Sequence, residues 1–102
     1  MNRYDNIPVR LDGDLVKSID RLQLRSRINA GVRRFLNGQS HVTVAQRIMR
    51  EKKRGHRIND GCVYVTLSPD VGNSLERYVN DADLSPAIAA AIRWWIQTQE
   101  KS

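Results

Sequence analysis

The stretch Cys62 to Val79, CVYVTLSPDVGNSLERYV, changes period halfway along. Val63, Val65 and Leu67 alternate with Tyr64 and Thr66, the two-residue rhythm of a strand with one buried face. After Ser-Pro-Asp the rhythm becomes helical: Val71, Leu75, Tyr78 and Val79 fall at i, i+4, i+7 and i+8, one apolar stripe on a helix. A short strand running straight into a helix leaves backbone N–H and C=O groups unpaired on both edges, so it needs a partner strand.

That partner is found earlier in the chain. Residues 9–22, VRLDGDLVKSIDRL, align with residues 65–78, VTLSPDVGNSLERY, at an offset of 56. Leu11 meets Leu67, Asp14 meets Asp70, Leu15 meets Val71, Ser18 meets Ser74, Ile19 meets Leu75 and Arg21 meets Arg77. Further on, INAGVRRFL (28–36) matches IAAAIRWWI (88–96) at an offset of 60, which places four extra residues in the second copy's turn, VNDADLS. Each copy reads as strand, helix, turn, helix. Neither is large enough to bury its own stripe, and tethering holds the two at an effective concentration of about millimolar. The strand at 63–67 is therefore expected to pair with IPVRL at 7–11.

Local signals set the helix boundaries. Ser68 with Pro69, and Ser85 with Pro86, read as N-caps followed by proline at the first helical position. In the last helix Ile88, Ala91, Ile92, Trp95 and Ile96 share a face while Arg93 and Gln97 point away. In the first copy Asp12 or Asp14 caps a helix carrying Leu15, Ile19 and Leu22, and the following helix carries Ile28, Val32, Phe35 and Leu36. Gly31 weakens that helix by about 1 kcal/mol relative to Ala, unless close packing requires its missing side chain. Between the copies, Thr43 and Gln46 form a T-x-x-Q capping box. Val44, Ala45, Ile48 and Met49 make a short stripe there, and Gly55 follows a basic last turn, so a connecting helix is predicted at about 44–54. The expected fold is mostly α with a short antiparallel β-ribbon. A first unit spans 1–37, a basic linker 38–60 and a second unit 61–102, together one compact domain.

Composition narrows the chemistry. The apolar runs are far below the roughly 18–20 residues that cross a bilayer, and MNRYDNIPVR lacks the apolar core of a signal peptide, so a soluble cytoplasmic protein without a membrane partner is expected. A single cysteine, Cys62, excludes an internal disulfide, and one thiol with two distant histidines makes no metal set. Cys62 lies in a strand, His41 and His56 fall in predicted loops, and the glycines are scattered, so neither a catalytic constellation nor a phosphate loop forms. No enzyme activity, cofactor or small-molecule substrate is expected. The charge is informative: 17 Lys+Arg against 11 Asp+Glu give +6. Residues 1–60 hold 14 basic and 6 acidic side chains, residues 61–102 only 3 and 5. The positive field belongs to the first part of the chain and favours a polyanionic partner.

A strand followed by two amphipathic helices, with TLSPD at the strand-to-helix junction and a serine-started second helix, resembles the ribbon-helix-helix (Arc/MetJ-type) DNA-binding family. Two copies on one chain look like a fused pseudo-dimer, similar to some accessory proteins of the plasmid-conjugation relaxosome. The resemblance implies that the two strands form a ribbon entering the major groove. Outward Asn6, Arg10, Tyr64 and Thr66 then match the base-reading positions. It also implies phosphate contacts at the starts of the second helices, around Ser26 and Ser85, with Arg25 and Arg27 adding charge. Lys52, Lys53 and Arg54, with Arg50 and Arg57, are expected along the DNA backbone. Two features depart from the family: Pro8 occupies an outward reader position, and the second strand has no basic residue.

The function expected is sequence-specific binding of double-stranded DNA, as a transcriptional repressor or regulator, or as a plasmid DNA-processing accessory factor. The alternative is a protein-interaction module of the same fold, antitoxin-like or oligomerising, that docks a partner through Trp94 and Trp95 without groove contacts.

Overall fold

In the computed structural model, which describes residues 4–55 and 57–101, the two strands pair with each other. Strand β1, Ile7–Asp12, lies antiparallel to β2, Asp60–Val65, with Ile7 opposite Val65, Pro8 opposite Tyr64, Val9 opposite Val63 and Arg10 opposite Cys62. Alternation divides the ribbon: Ile7, Val9, Leu11, Val63 and Val65 are buried, while Pro8, Arg10, Cys62 and Tyr64 face outward. The second strand starts and ends earlier than the sequence predicts. Leu67 is buried beyond its end, donating its N–H to the Tyr4 carbonyl at 3.0 Å. Tyr4 in turn lies buried, its ring against Gly72 and its hydroxyl within hydrogen-bond distance of Asn73 and Glu76.

Five α-helices complete the described fold: α1, Gly13–Arg21; α2, Ile28–Asn37; α3, His41–Arg54; α4, Pro69–Leu75; and α5, Leu84–Lys101. Single 3-10 turns, Arg25–Arg27 and Asp81–Asp83, lead into α2 and α5. Corresponding elements begin a constant 56 residues apart: α1 and α4 at 13 and 69, the 3-10 turns at 25 and 81, α2 and α5 at 28 and 84. The expected four-residue insertion in the second copy's turn is thus absent, and α5 is instead a longer helix. A slip of four residues is close to one helical turn and returns the apolar stripe to nearly the same face, which is why the slipped alignment fits the sequence equally well. Pro8 and Tyr64 are both 56 apart and directly opposed, so the two copies are related about the centre of the ribbon.

The helix boundaries differ from expectation where tertiary partners take over the capping groups. Asp12 occupies the N-cap position of α1, yet its carboxylate binds arginines rather than the helix. Ser68 precedes α4, but its N–H and hydroxyl donate to Asn29 Oδ1 at 2.8 and 3.2 Å. Ser26 lies inside the 3-10 turn and caps nothing, while Ser85 sits within the first turn of α5 and donates its hydroxyl to the Pro8 carbonyl. Helix α4 ends at Leu75, leaving Tyr78 and Val79 half-buried in the following turn. The connecting helix starts at His41 and not near 44. Ser40, whose hydroxyl accepts from the Thr43 N–H at 3.2 Å, is its cap in place of the Thr43–Gln46 box. His41 is accordingly helical, with its ring stacked on and hydrogen-bonded to Tyr78; His56 lies outside the described residues.

One hydrophobic cluster draws on both copies and on α3: Val9 and Leu11 from β1, Phe35 from α2, Val44 and Ile48 from α3, Val63 from β2, Leu75 from α4 and Ile88, Ile92 and Ile96 from α5. Each such side chain contributes about 1.5–3 kcal/mol when fully buried, so the halves stabilise each other through shared burial. Of the stripe expected on α3, Ala45 and Met49 are exposed. Trp95 is buried against Gly31, whereas Trp94 is half-buried with its ring 5.9 Å from that of Phe35. Among the described residues, no helix is long and apolar enough to cross a membrane.

Candidate nucleic-acid interface

The outward face of the ribbon gathers Asn6, Pro8 and Arg10 from one side and Cys62, Tyr64 and Thr66 from the other. All four residues singled out in sequence, Asn6, Arg10, Tyr64 and Thr66, are exposed on this face, and Tyr64 is 65% exposed. Asn6 adopts a left-handed backbone (φ 50°), a conformation Asn tolerates better than most residues. Its N–H donates to Thr66 Oγ1 at 3.1 Å, which closes the ribbon end. Arg10 makes no hydrogen bond or ion pair with a described residue, leaving its guanidinium available to a ligand. An exposed side chain of this kind retains its five donors for bidentate recognition.

The starts of α2 and α5 lie at opposite edges of this ribbon. Asn29, in the first turn of α2, donates Nδ2–H to the Thr66 carbonyl at 3.0 Å and accepts from the Ser68 N–H. Ser85, 56 residues later, holds the start of α5 against Pro8. Asn29 and Ser85 are therefore equivalent tethers, each fastening a second helix to the strand of the other copy. Sequence reasoning missed Asn29; its 56-residue spacing from Ser85 is the signal that could have found it. Of the residues expected near phosphates, Arg25 pairs with Asp20 at 3.0 Å with both side chains more than half exposed, a contact worth little in water. Ser26 is exposed, and the Arg27 guanidinium lies 5.9 Å from the Trp95 ring centroid.

The basic end of α3 divides into two groups. Lys53 is exposed, and Lys52 pairs with Asp83 at 3.2 Å at the foot of α5. Lys52 shares a groove with Arg10, Ser85 and Pro86, so α3 adjoins the ribbon's β1 edge. Arg54, grouped with the lysines in sequence, is committed elsewhere. Its guanidinium bridges Asp12 and Asp60 at the ribbon end, and its side chain is only 11% exposed. Arg93, expected to point away from α5, meets the same cluster. It binds Glu51 in bidentate fashion at 2.9 and 3.0 Å and reaches Asp12 at 2.9 Å. The network Glu51–Arg93–Asp12–Arg54–Asp60 thus ties α3 to α5 and to both strands.

The network shifts its own titrations. Hydrogen bonding from Arg93, helped by the charges of Arg93 and Arg54, holds the Asp12 carboxyl below its ordinary range. The Arg54 guanidinium and the Arg57 N–H do the same for Asp60. A carboxyl with a depressed folded-state value binds fewer protons folded than unfolded, so its stabilisation is present above the ordinary carboxylate range and is lost as pH falls through it. Denaturant midpoints should accordingly be nearly level between about pH 7 and 5 and should fall at about pH 3. Equilibrium unfolding followed by circular dichroism at those three values tests this, and a level midpoint down to pH 3 contradicts it.

Among the described residues no group of His, Cys, Asp and Glu could hold a metal ion. Cys62 is exposed on the ribbon face. No protein-family model matches the chain, and neither a curated protein nor a solved structure matches it.

Proposed function

We propose that the chain is a sequence-specific double-stranded DNA-binding protein, a tandem ribbon-helix-helix pseudo-dimer that inserts its two-stranded ribbon in the major groove. The observation that carries this reading is the exposed ribbon face with Asn6, Arg10, Tyr64 and Thr66, flanked on opposite edges by the starts of α2 and α5. The major groove, about 12 Å wide, admits a two-stranded ribbon. There Arg10 would bridge guanine O6 and N7, Asn6 would bridge adenine N6 and N7, and Thr66 would bond a base edge or touch a thymine methyl. Free N–H groups at the flanking helix starts would position the duplex by its phosphates without reading sequence. Because the two strands carry different outward residues, the preferred site should be asymmetric and not a palindrome. Such a protein would act as a repressor or regulator of transcription, or in plasmid DNA processing.

Selection of duplexes from a randomised library, followed by binding measured across a salt series, tests the reading. Affinity should fall steeply with salt, and Arg10→Ala should cost about 1–3 kcal/mol and relax preference at one base pair. A protein with no salt-dependent duplex binding instead favours the docking alternative, for which Val42 and Met49, 66% and 51% exposed on α3, provide an apolar surface.

A further inference from the structure

We infer that α3 replaces the DNA-backbone contact that the second copy has lost, so that the two flanks of the ribbon hold phosphate by different elements. This rests on the duplex binding proposed above. The 3-10 turns before α2 and α5 occupy equivalent positions, 56 residues apart, but their charges are opposite: Arg25-Ser26-Arg27 in the first copy, Asp81-Ala82-Asp83 in the second. A turn of this composition at the β1 edge would repel a phosphate backbone that the first copy's turn attracts. At that edge alone the chain inserts another element. Helix α3 runs with its basic last turn toward the ribbon end, where Arg54 bridges Asp12 and Asp60. Lys52 from this turn pairs with Asp83 at 3.2 Å, cancelling the charge of the second copy's turn, and lines the groove shared by Arg10 and Ser85. Lys53 beside it is exposed and forms no ion pair with a described residue.

The clamp on α3 is what makes this contact directional. Arg93 of α5 grips Glu51, the neighbour of Lys52, and Arg54, one position past Lys53, is locked to both strands. The two lysines therefore stand between two fixed points, at the β1 edge. The first copy's flank uses its own turn, and the second copy's flank borrows the linker.

The test compares the wild-type chain with two charge-neutral variants, Lys52→Gln/Lys53→Gln and Arg25→Gln/Arg27→Gln, on one duplex selected by the wild type from a randomised library. All four positions are at or near the surface, and circular dichroism confirms folding. Each pair should reduce the slope of log affinity against log salt by about 1–2, since each phosphate contact contributes about 0.9. Phosphate-ethylation interference should then lose its signals on one flank for the lysine variant and on the opposite flank for the arginine variant. If the wild type shows no salt-dependent duplex binding, the underlying DNA reading fails. If it binds, and the lysine variant keeps the wild-type slope or loses signals equally on both flanks, the inference about α3 is overturned while the DNA reading stands.

Discussion

Gly31→Ala should lower the stability of the folded chain by on the order of 2 kcal/mol, although alanine is the better helix former by about 1 kcal/mol. The sign follows from the helix pair at the centre of the molecule. Gly31 lies on the buried face of α2, and a Cβ placed there would stand 2.3 Å from Cε3 and 2.4 Å from Cδ2 of Trp95. Carbon atoms pack at about 3.5–4.0 Å, so the ring or one helix must move by more than an ångström. Trp95 has little room to yield: it is 2% exposed, in the middle of α5, with Arg27 over its ring. Rigid interiors resist such displacement, and overpacking costs typically 1–3 kcal/mol even before backbone shifts. For a chain of this size the melting temperature should fall by roughly 10 °C. Ala30→Gly, an exposed neighbour on the same helix, is the control and should cost only the propensity term of about 1 kcal/mol. Calorimetry showing Gly31→Ala as stable as wild type would mean that α2 and α5 are not in close contact at this point.

Gly31 also shows what kind of information the sequence holds. Its position within an otherwise good helix marks either weakness or close approach, and only the neighbour decides between them. The ribbon was legible because two short period-2 segments, each followed by a period-3.6 segment, leave one economical pairing, and the alternation assigns Asn6, Arg10, Tyr64 and Thr66 to one face before any coordinates are known. The length of the second copy's turn was not legible, because a slip of four residues leaves Ile88, Ile92 and Trp95 facing the core in either alignment. The serines were read correctly as marks of helix starts and incorrectly as caps: Ser68 and Ser85 spend their hydroxyls on Asn29 and Pro8 of the other copy. A hydroxyl one residue from a helix end looks the same in sequence whether its partner is local or 39 to 77 residues away. Arg54 and Arg93 were the least legible. A basic residue in a last helical turn, or on the polar side of an amphipathic helix, is normally solvated. Only the docking of α3 across α5 and the ribbon brings Glu51, Asp12 and Asp60 to them.

That docking makes Arg93→Met the most disruptive single change expected in the molecule, at about 3 kcal/mol. The methionine keeps much of the apolar stem and removes the guanidinium, which supplies both bonds to Glu51 and one to Asp12. The Glu51 side chain is 8% exposed, so its carboxylate is left largely dry, without the bidentate partner that offset its desolvation. Asp12 suffers less, since it is 35% exposed and retains Arg54. Glu51→Met should be milder, about 1–2 kcal/mol, because Arg93 stays paired with Asp12. The double replacement separates the charge effect from a packing effect. Removing both buried partners together leaves no uncompensated ion, so Arg93→Met/Glu51→Met should recover most of the loss, with a coupling of about 2 kcal/mol in a double-mutant cycle measured by denaturant unfolding. Additive losses would place the energy in the aliphatic stems instead of the ion pair. The proposed DNA contacts give the cycle a second readout. If Arg93 and Glu51 together hold α3 against the ribbon, Arg93→Met should lower the salt slope of duplex binding as Lys52→Gln/Lys53→Gln does, since lysines on a detached helix no longer stand at the β1 edge.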